Sequence, residues 1–174
     1  MSKRVAGKKI SAETDFTLER EVLRLLAERR QTLALAESCT GGCLAHRLTN
    51  VPGASVAFLG GVVAYSNAAK HKFLGVRAET LRRRGAVSEA VAREMAEGAR
   101  RKFGADFALA VTGIAGPTGG TRRKPVGTVF LALAGPFGAV IERRLNVYER
   151  RKFKEITARQ ALAQLHSQLT KGAT

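Results

Sequence analysis

The sequence predicts a single α/β domain in which a mixed β-sheet is flanked by helices. Helical and strand-like segments alternate through the first part of the chain. Two continuous apolar runs, DFALAVTG (106–113) and GTVFLALAG (127–135), read as central strands covered on both faces. A further strand follows almost at once, so the late strands come nearly consecutively and the sheet is mixed. The length of 174 residues suits one domain with a sizeable core, here expected over residues 13–170, with flexible termini at 1–12 and 171–174.

Each element has its own signal. Phe16, Leu18, Val22, Leu25 and Leu26 recur at helical spacing within 14–30. TLALA (32–36) is short, apolar and bounded by polar residues, which predicts a buried strand. CLAHRLT (43–49) reads as a helix whose first turn begins near Thr40–Gly42, and GGVVAY (60–65) as a strand. Ser88 caps a helix over 88–103, in which Val91, Met95 and Ala99 repeat every four residues. IERRLNVY (141–148) places Ile141, Leu145 and Val147 on one face of a half-exposed edge strand. The last helix runs over 152–169 through Phe153, Ile156, Ala161, Leu165 and Leu169.

Composition narrows the function classes. No apolar run approaches the roughly 20 residues needed to span a bilayer, and the basic N-terminus MSKRVAGKKI lacks a signal-peptide core. A soluble cytoplasmic protein with no membrane partner is expected. The two cysteines, Cys39 and Cys43, provide no disulfide framework. With 30 Lys+Arg against 14 Asp+Glu the net charge is +16, much of it in clusters at 82–84, 100–102, 122–124 and 150–152. Such a field attracts polyanions and steers phosphorylated small molecules. Aromatics are only 6% and form no basic-aromatic ribbon, so a solvated basic surface is favoured over specific nucleic-acid binding.

The chemistry centres on AESCTGG (36–42). A serine between a strand and a helix stands at the strand's carboxyl end, where open α/β sheets bind ligands. The amides of Cys39, Thr40, Gly41 and Gly42 would then serve an anion or a developing oxyanion. The pattern is not G-x-S-x-G, because Ala36 and Thr40 fill the glycine positions. On spacing alone, an ordinary Ser/Thr helix cap is the simpler reading, and Cys39 rivals Ser38 as nucleophile.

His46, His71 and His166 carry no triad signature. Tyr65, Asn67 and Lys70 in AYSNAAK follow a strand directly, and a desolvated Lys70 could act as base in a Ser–Lys pair. Taken alone, Lys70 reads more simply as a solvated lysine. TGIAGPTGGTRRKPVGT (112–128) holds glycines and threonines in excess of what a hairpin needs, consistent with either an anion nest or a mobile loop. Cys39, Cys43 and His46 supply at most three nearby ligands and read as packing residues, so no metal is expected.

Five ordered motifs, AESCTGG (36–42), GGVVAYSNAAK (60–70), GAVSE (85–89), TGIAGPTGG (112–120) and KPVGT (124–128), resemble the CinA C-terminal domain family, the bacterial nicotinamide mononucleotide deamidases. The resemblance spans about residues 17–168 and, at this chain length, points to a stand-alone form. It implies hydrolysis of the nicotinamide mononucleotide carboxamide to nicotinic acid mononucleotide and ammonia, in pyridine nucleotide salvage. Ser38 would be the nucleophile and Lys70 the base, with Tyr65 beside it as the third catalytic residue, holding or relaying the proton. Cys39, Thr40, Gly41, Gly42, Asn67, Thr112, Gly113, Gly116, Arg150 and Lys154 would contact the nucleotide. No cofactor is implied, and a homodimer is.

Two stretches depart from the family pattern. Relatives often show G-D-R-x-x-V-R before the last helix, where this chain reads YERRKFK (148–154). Arg150 is retained, Glu149 replaces the aspartate, and Lys154 cannot reproduce an arginine's bidentate fork. Arg122 and Arg123 stand where acidic residues are common. The alternative function is therefore a catalytically inactive member that binds a nucleotide or nucleic acid.

Overall fold

The computed structural model describes residues 16–171, and the expected flexible termini fall almost wholly outside them. The elements run α1 (Thr17–Glu28), β1 (Leu33–Glu37), α2 (Cys43–Thr49), a 3₁₀ turn (Ala54–Val56), β2 (Phe58–Val63), α3 (Asn67–Leu74), α4 (Ala78–Arg84), α5 (Glu89–Phe103), β3 (Phe107–Gly113), β4 (Thr128–Gly135), β5 (Gly138–Leu145) and α6 (Arg150–Thr170). The fold is an α/β architecture: one open five-stranded sheet ordered β2-β1-β3-β4-β5, with six helices. β1 is parallel to both β2 and β3, whereas β4 and β5 are antiparallel additions, so the sheet is mixed.

The alternation of leucine and alanine in the strands decides which helices cover which face. Leu33, Leu35, Leu109, Val111, Leu131 and Leu133 point to one side and pack on α1, α2 and α6 through Val22, Leu26, Leu44, Phe153 and Leu162. Ala34, Ala36, Ala108, Ala110, Ala132 and Ala134 point to the other and meet Val91, Met95, Ala96 and Ala99 of α5. The small face lets α5 lie close to the sheet. On its outer side the fit is equally tight: a Cβ on Gly98 would stand 1.8 Å from the Leu74 carbonyl oxygen. Among the described residues, no helix is long and apolar enough to cross a membrane.

Several boundaries shift from the sequence expectation. β5 begins at Gly138 because Pro136 and Phe137 form a two-residue turn that pairs Gly135 with Gly138 and so fixes the register. It is an edge strand as expected, but only Ile141 of the anticipated face packs on the core; Leu145 and Val147 lie exposed, Val147 beyond the strand end. α6 starts two residues earlier than expected because Glu149 caps it, its carboxylate accepting from the N–H groups of Arg151 and Lys152. α3 and α4 go beyond the elements that periodicity predicts. Both are short and largely solvent-facing, so neither carries a strong apolar period.

Candidate active site

β1 delivers Ser38 to the carboxyl edge of the sheet, beside the end of β3, and the Ser38 N–H is fixed by the Val111 carbonyl at 3.0 Å. The chain then turns through Gly41 and Gly42, with φ of +58° and +94°, a region that side chains with a Cβ rarely occupy. This turn is held from below by Glu37. Its carboxylate is 1% exposed and accepts from the N–H groups of Gly42 (3.0 Å), Leu44 (3.1 Å) and Ala45 (2.8 Å). The α2 N-terminus is therefore closed by the protein's own anion, which complements the helix dipole. The Gly41 N–H is also engaged, donating to the Ser38 carbonyl at 3.1 Å. The expectation that all four amides face a ligand is corrected accordingly: Gly41 and Gly42 shape the turn. Among the described residues, no carbonyl or carboxylate accepts from the N–H of Cys39 or Thr40.

Lys70 enters from the other side. Ser66 caps α3 by accepting from the Ala69 N–H at 3.0 Å, and Lys70 sits one turn into the helix. Its side chain is 1% exposed, and Nζ lies 2.9 Å from Ser38 Oγ and 2.8 Å from the Ala64 carbonyl oxygen. Among the described residues, no carboxylate lies within ion-pair distance of it. Burial holds the Lys70 ammonium below the usual lysine range, with Cys39 opposing the shift. Burial also pushes the Cys39 thiol up to about 12, so the sulfur stays protonated near neutrality. The amine thus stands within hydrogen-bond reach of the serine, and the rival thiol is held in its less nucleophilic, protonated form.

Ser38, Cys39, Tyr65, Lys70, Thr112, Gly113, Gly116 and Arg150 all line one cavity of about 310 Å³. Thr112 donates its hydroxyl to the Ala86 carbonyl at 2.8 Å, bracing the 86–87 segment that forms another wall. Arg150 spans the cavity mouth: Nη1 donates to the Gly116 carbonyl at 2.9 Å and Nη2 to the Tyr65 hydroxyl. Lys154 lies next to Gly41 and lines a neighbouring cavity of about 430 Å³, which Arg150 also borders. Thr40 is fully buried behind the turn with its hydroxyl unpartnered, and Asn67 is exposed; neither lines the cavity. No group of three His, Cys, Asp or Glu side chains is arranged to hold a metal among the described residues.

Four contributors escape a reading of the sequence. Glu37 stands inside the AESCTGG motif, and its position before a glycine turn is the signal that could have found it. The Ala64 carbonyl, which holds Nζ, leaves no mark in sequence. Ala86 and Val87 belong to GAVSE, but apolar wall residues resemble any loop.

A buried serine–lysine pair at the strand ends of an open α/β sheet defines the class of protein. The chain belongs to the CinA C-terminal domain family, which matches residues 15–169. It is 51% identical over 163 residues to a CinA-like protein of Geobacter sulfurreducens, covering 94% of this chain and 40% of that one. It is 55% identical over 137 residues to one from Chlorobaculum tepidum, covering 78% and 32%. The chain thus spans about two fifths or less of the length of these curated relatives. Among solved structures, a competence/damage inducible protein from Agrobacterium tumefaciens superposes with a TM-score of 0.85 at 41% identity, covering 89% of this chain and 94% of that one. One from Klebsiella pneumoniae gives 0.86 at 40%, covering 89% and 96%.

Proposed function

We propose that this chain hydrolyses the carboxamide of nicotinamide mononucleotide to nicotinic acid mononucleotide and ammonia. The observation that carries the reading is the 2.9 Å approach of the desolvated Lys70 amine to Ser38 Oγ. In the first half-reaction Ser38 Oγ attacks the amide carbon while neutral Lys70 takes its proton. The negative charge that develops on the amide oxygen is met by the N–H of Cys39, the cavity-lining residue of the turn, whose partner in the resting site is the weakly accepting Cys39 sulfur. The C–N bond breaks as the Lys70 ammonium returns the proton to the departing nitrogen, leaving a nicotinoyl ester on Ser38. Water then attacks the ester, Lys70 again taking the proton, and nicotinic acid mononucleotide leaves as Ser38 is reprotonated.

Arg150 gives the phosphate end its site. It borders both cavities and, among the described residues, its guanidinium is tied to a tyrosine hydroxyl and a carbonyl, which a dianion can displace. Lys154 adds charge on the far side of the same residue. The test is ammonia release from nicotinamide mononucleotide by the purified protein, with nicotinamide riboside and nicotinamide as comparators. Release confined to the nucleotide supports the reading. No release, with the nucleotide still bound, favours an inactive nucleotide-binding member.

A further inference from the structure

The net charge of +16 is not explained by the Ser38–Lys70 site, and the fold concentrates part of it. Arg82, Arg83 and Arg84 form the last turn of α4. The 122–124 cluster, some 40 residues on, folds back against them: Lys124 Nζ donates to the Arg84 carbonyl at 2.8 Å. Arg143 arrives from β5, its Nη2 donating to the Arg123 carbonyl at 3.0 Å. Three separate stretches thus place like charges on one surface. Among the described residues, no carboxylate lies within ion-pair distance of Arg82, Arg84, Arg122, Arg123 or Arg143. Arg83 has only an exposed Glu79 contact at 3.3 Å. Elsewhere the chain does pair its charges, as in Arg24 between Glu21 and Glu28.

This surface borders a groove of about 810 Å³ that follows α5, much larger than the active-site cavity. Arg77, Arg83, Arg84, Arg93, Arg101 and Lys124 line it. Of its carboxylates, Glu94 is held by Arg77 and Thr80, Glu89 pairs with Arg93 at 3.5 Å, and Glu97 has no cation of its own among the described residues. No aromatic ring is among its lining residues.

From this clustering we infer that the α4–α5 groove and the 122–124 loop bind the phosphate backbone of duplex nucleic acid without reading its sequence. Unpaired arginines held together repel one another, and a dense row of phosphates relieves that repulsion while releasing condensed counterions. Duplex DNA carries one charge per about 1.7 Å of its axis, a density that an acidic protein surface rarely offers. Single-strand binders add aromatic platforms for the bases, and this groove has none. The cationic surface also reaches past the groove to Arg122, Arg123 and Arg143, farther than a mononucleotide would need. None of these residues lines the Ser38 cavity, so the inference stands apart from the proposed hydrolysis.

The test is fluorescence anisotropy with a labelled duplex of about 25 base pairs across a KCl series. The wild type should bind within the non-specific range at physiological salt, about 10⁻⁴–10⁻⁶ M, and more tightly as KCl is lowered, with log K falling linearly against log salt. Arg82→Glu/Arg84→Glu/Arg122→Glu should weaken binding at least about tenfold and flatten the salt slope by roughly 0.9 for each phosphate no longer neutralised. Arg20→Glu/Arg29→Glu/Arg159→Glu makes the same charge change on α1, its C-terminal end and α6, and should weaken binding far less. A triple Arg→Gln version of the first set guards against misfolding, and thermal melts confirm that each variant is folded. Equal losses in the two Glu sets would reduce the effect to net charge and overturn the inference, as would absence of binding at about 50 mM KCl. Displacement of the duplex by polyglutamate at equal charge would overturn it in favour of an acidic protein partner, and tighter binding of a single strand would overturn the duplex assignment.

Discussion

Lys70 Nζ stands 2.9 Å from Ser38 Oγ, yet the two residues reach the sheet's edge from separate elements, one from the end of β1 and one from α3. The Ala64 carbonyl fixes the amine at 2.8 Å, and no carboxylate of the described residues balances its charge. A lysine kept dry without a counter-ion favours the neutral amine, which is the form a base requires.

Ser38→Ala should abolish ammonia release while the nucleotide still binds, because the hydroxyl makes the new bond and contributes little to holding the substrate. Cys39→Ala should lose far less, since burial keeps its thiol protonated with a pKa of about 12. Steady-state rates and calorimetric binding on both variants check this. The reverse pattern would make sulfur the nucleophile.

Lys70→Met should lower kcat by about 10²–10⁴, the usual contribution of a positioned acid–base group. The wild-type rate should rise with pH through the lowered Lys70 pKa, because only the unprotonated amine accepts the serine proton. Stability should carry the same signature. The unfolded chain binds a proton on this lysine up to its ordinary pKa and the folded chain releases it earlier, so burial is destabilising at neutral pH. That penalty fades as pH rises toward the ordinary lysine pKa. Lys70→Met should therefore raise Tm more near neutral pH than near the ordinary lysine pKa of about 10.4, and calorimetry at the two values decides the matter.

Glu37→Gln should reduce stability and kcat together, with KM changed less. One amide oxygen cannot serve the three N–H groups that the carboxylate now satisfies, and each buried donor left unpaired costs about 1–3 kcal/mol. The α2 end would loosen, and with it the turn that aims Ser38. Urea denaturation alongside kinetics tests this; a destabilised variant with unchanged kcat would leave Glu37 a role in stability only.

Arg150→Ala should shrink the preference for nicotinamide mononucleotide over its riboside. Two charge-assisted hydrogen bonds to phosphate are worth about 3–6 kcal/mol, or roughly two to four decades in kcat/KM. Tyr65→Phe removes one tether of the guanidinium and should have a smaller effect in the same direction. The kcat/KM ratios for nucleotide and riboside are the measurement. An unchanged ratio in Arg150→Ala would place the phosphate elsewhere.

The continuous apolar runs by themselves marked the central strands as covered on both faces; the leucine–alanine split between those faces became visible only once the strands paired, because side chains along a strand point to opposite sides with a period of two. The five motifs carried the family, and the glycines after Ser38 marked a turn that a chain with Cβ atoms would resist. Local sequence could not say whether Lys70 was dry. That depended on Ala64, Cys39 and the segment after β3, which are separate in the chain and meet only when β1 pairs with both β2 and β3. Nor could it say that the α2 amides were already occupied, since one buried carboxylate at Glu37 decides that by accepting from Gly42, Leu44 and Ala45. Arg150 is the clearest case. By sequence it borders Glu149 at a helix start, where pairing or capping is the ordinary fate, but Glu149 takes the cap and Arg150 reaches across to Tyr65 and Gly116. Secondary structure follows from short-range periodicity where an element buries an apolar face, as α3 and α4 largely do not. Protonation and anion binding follow from what burial and long-range packing bring within a few ångströms, and those distances exist only in the folded chain.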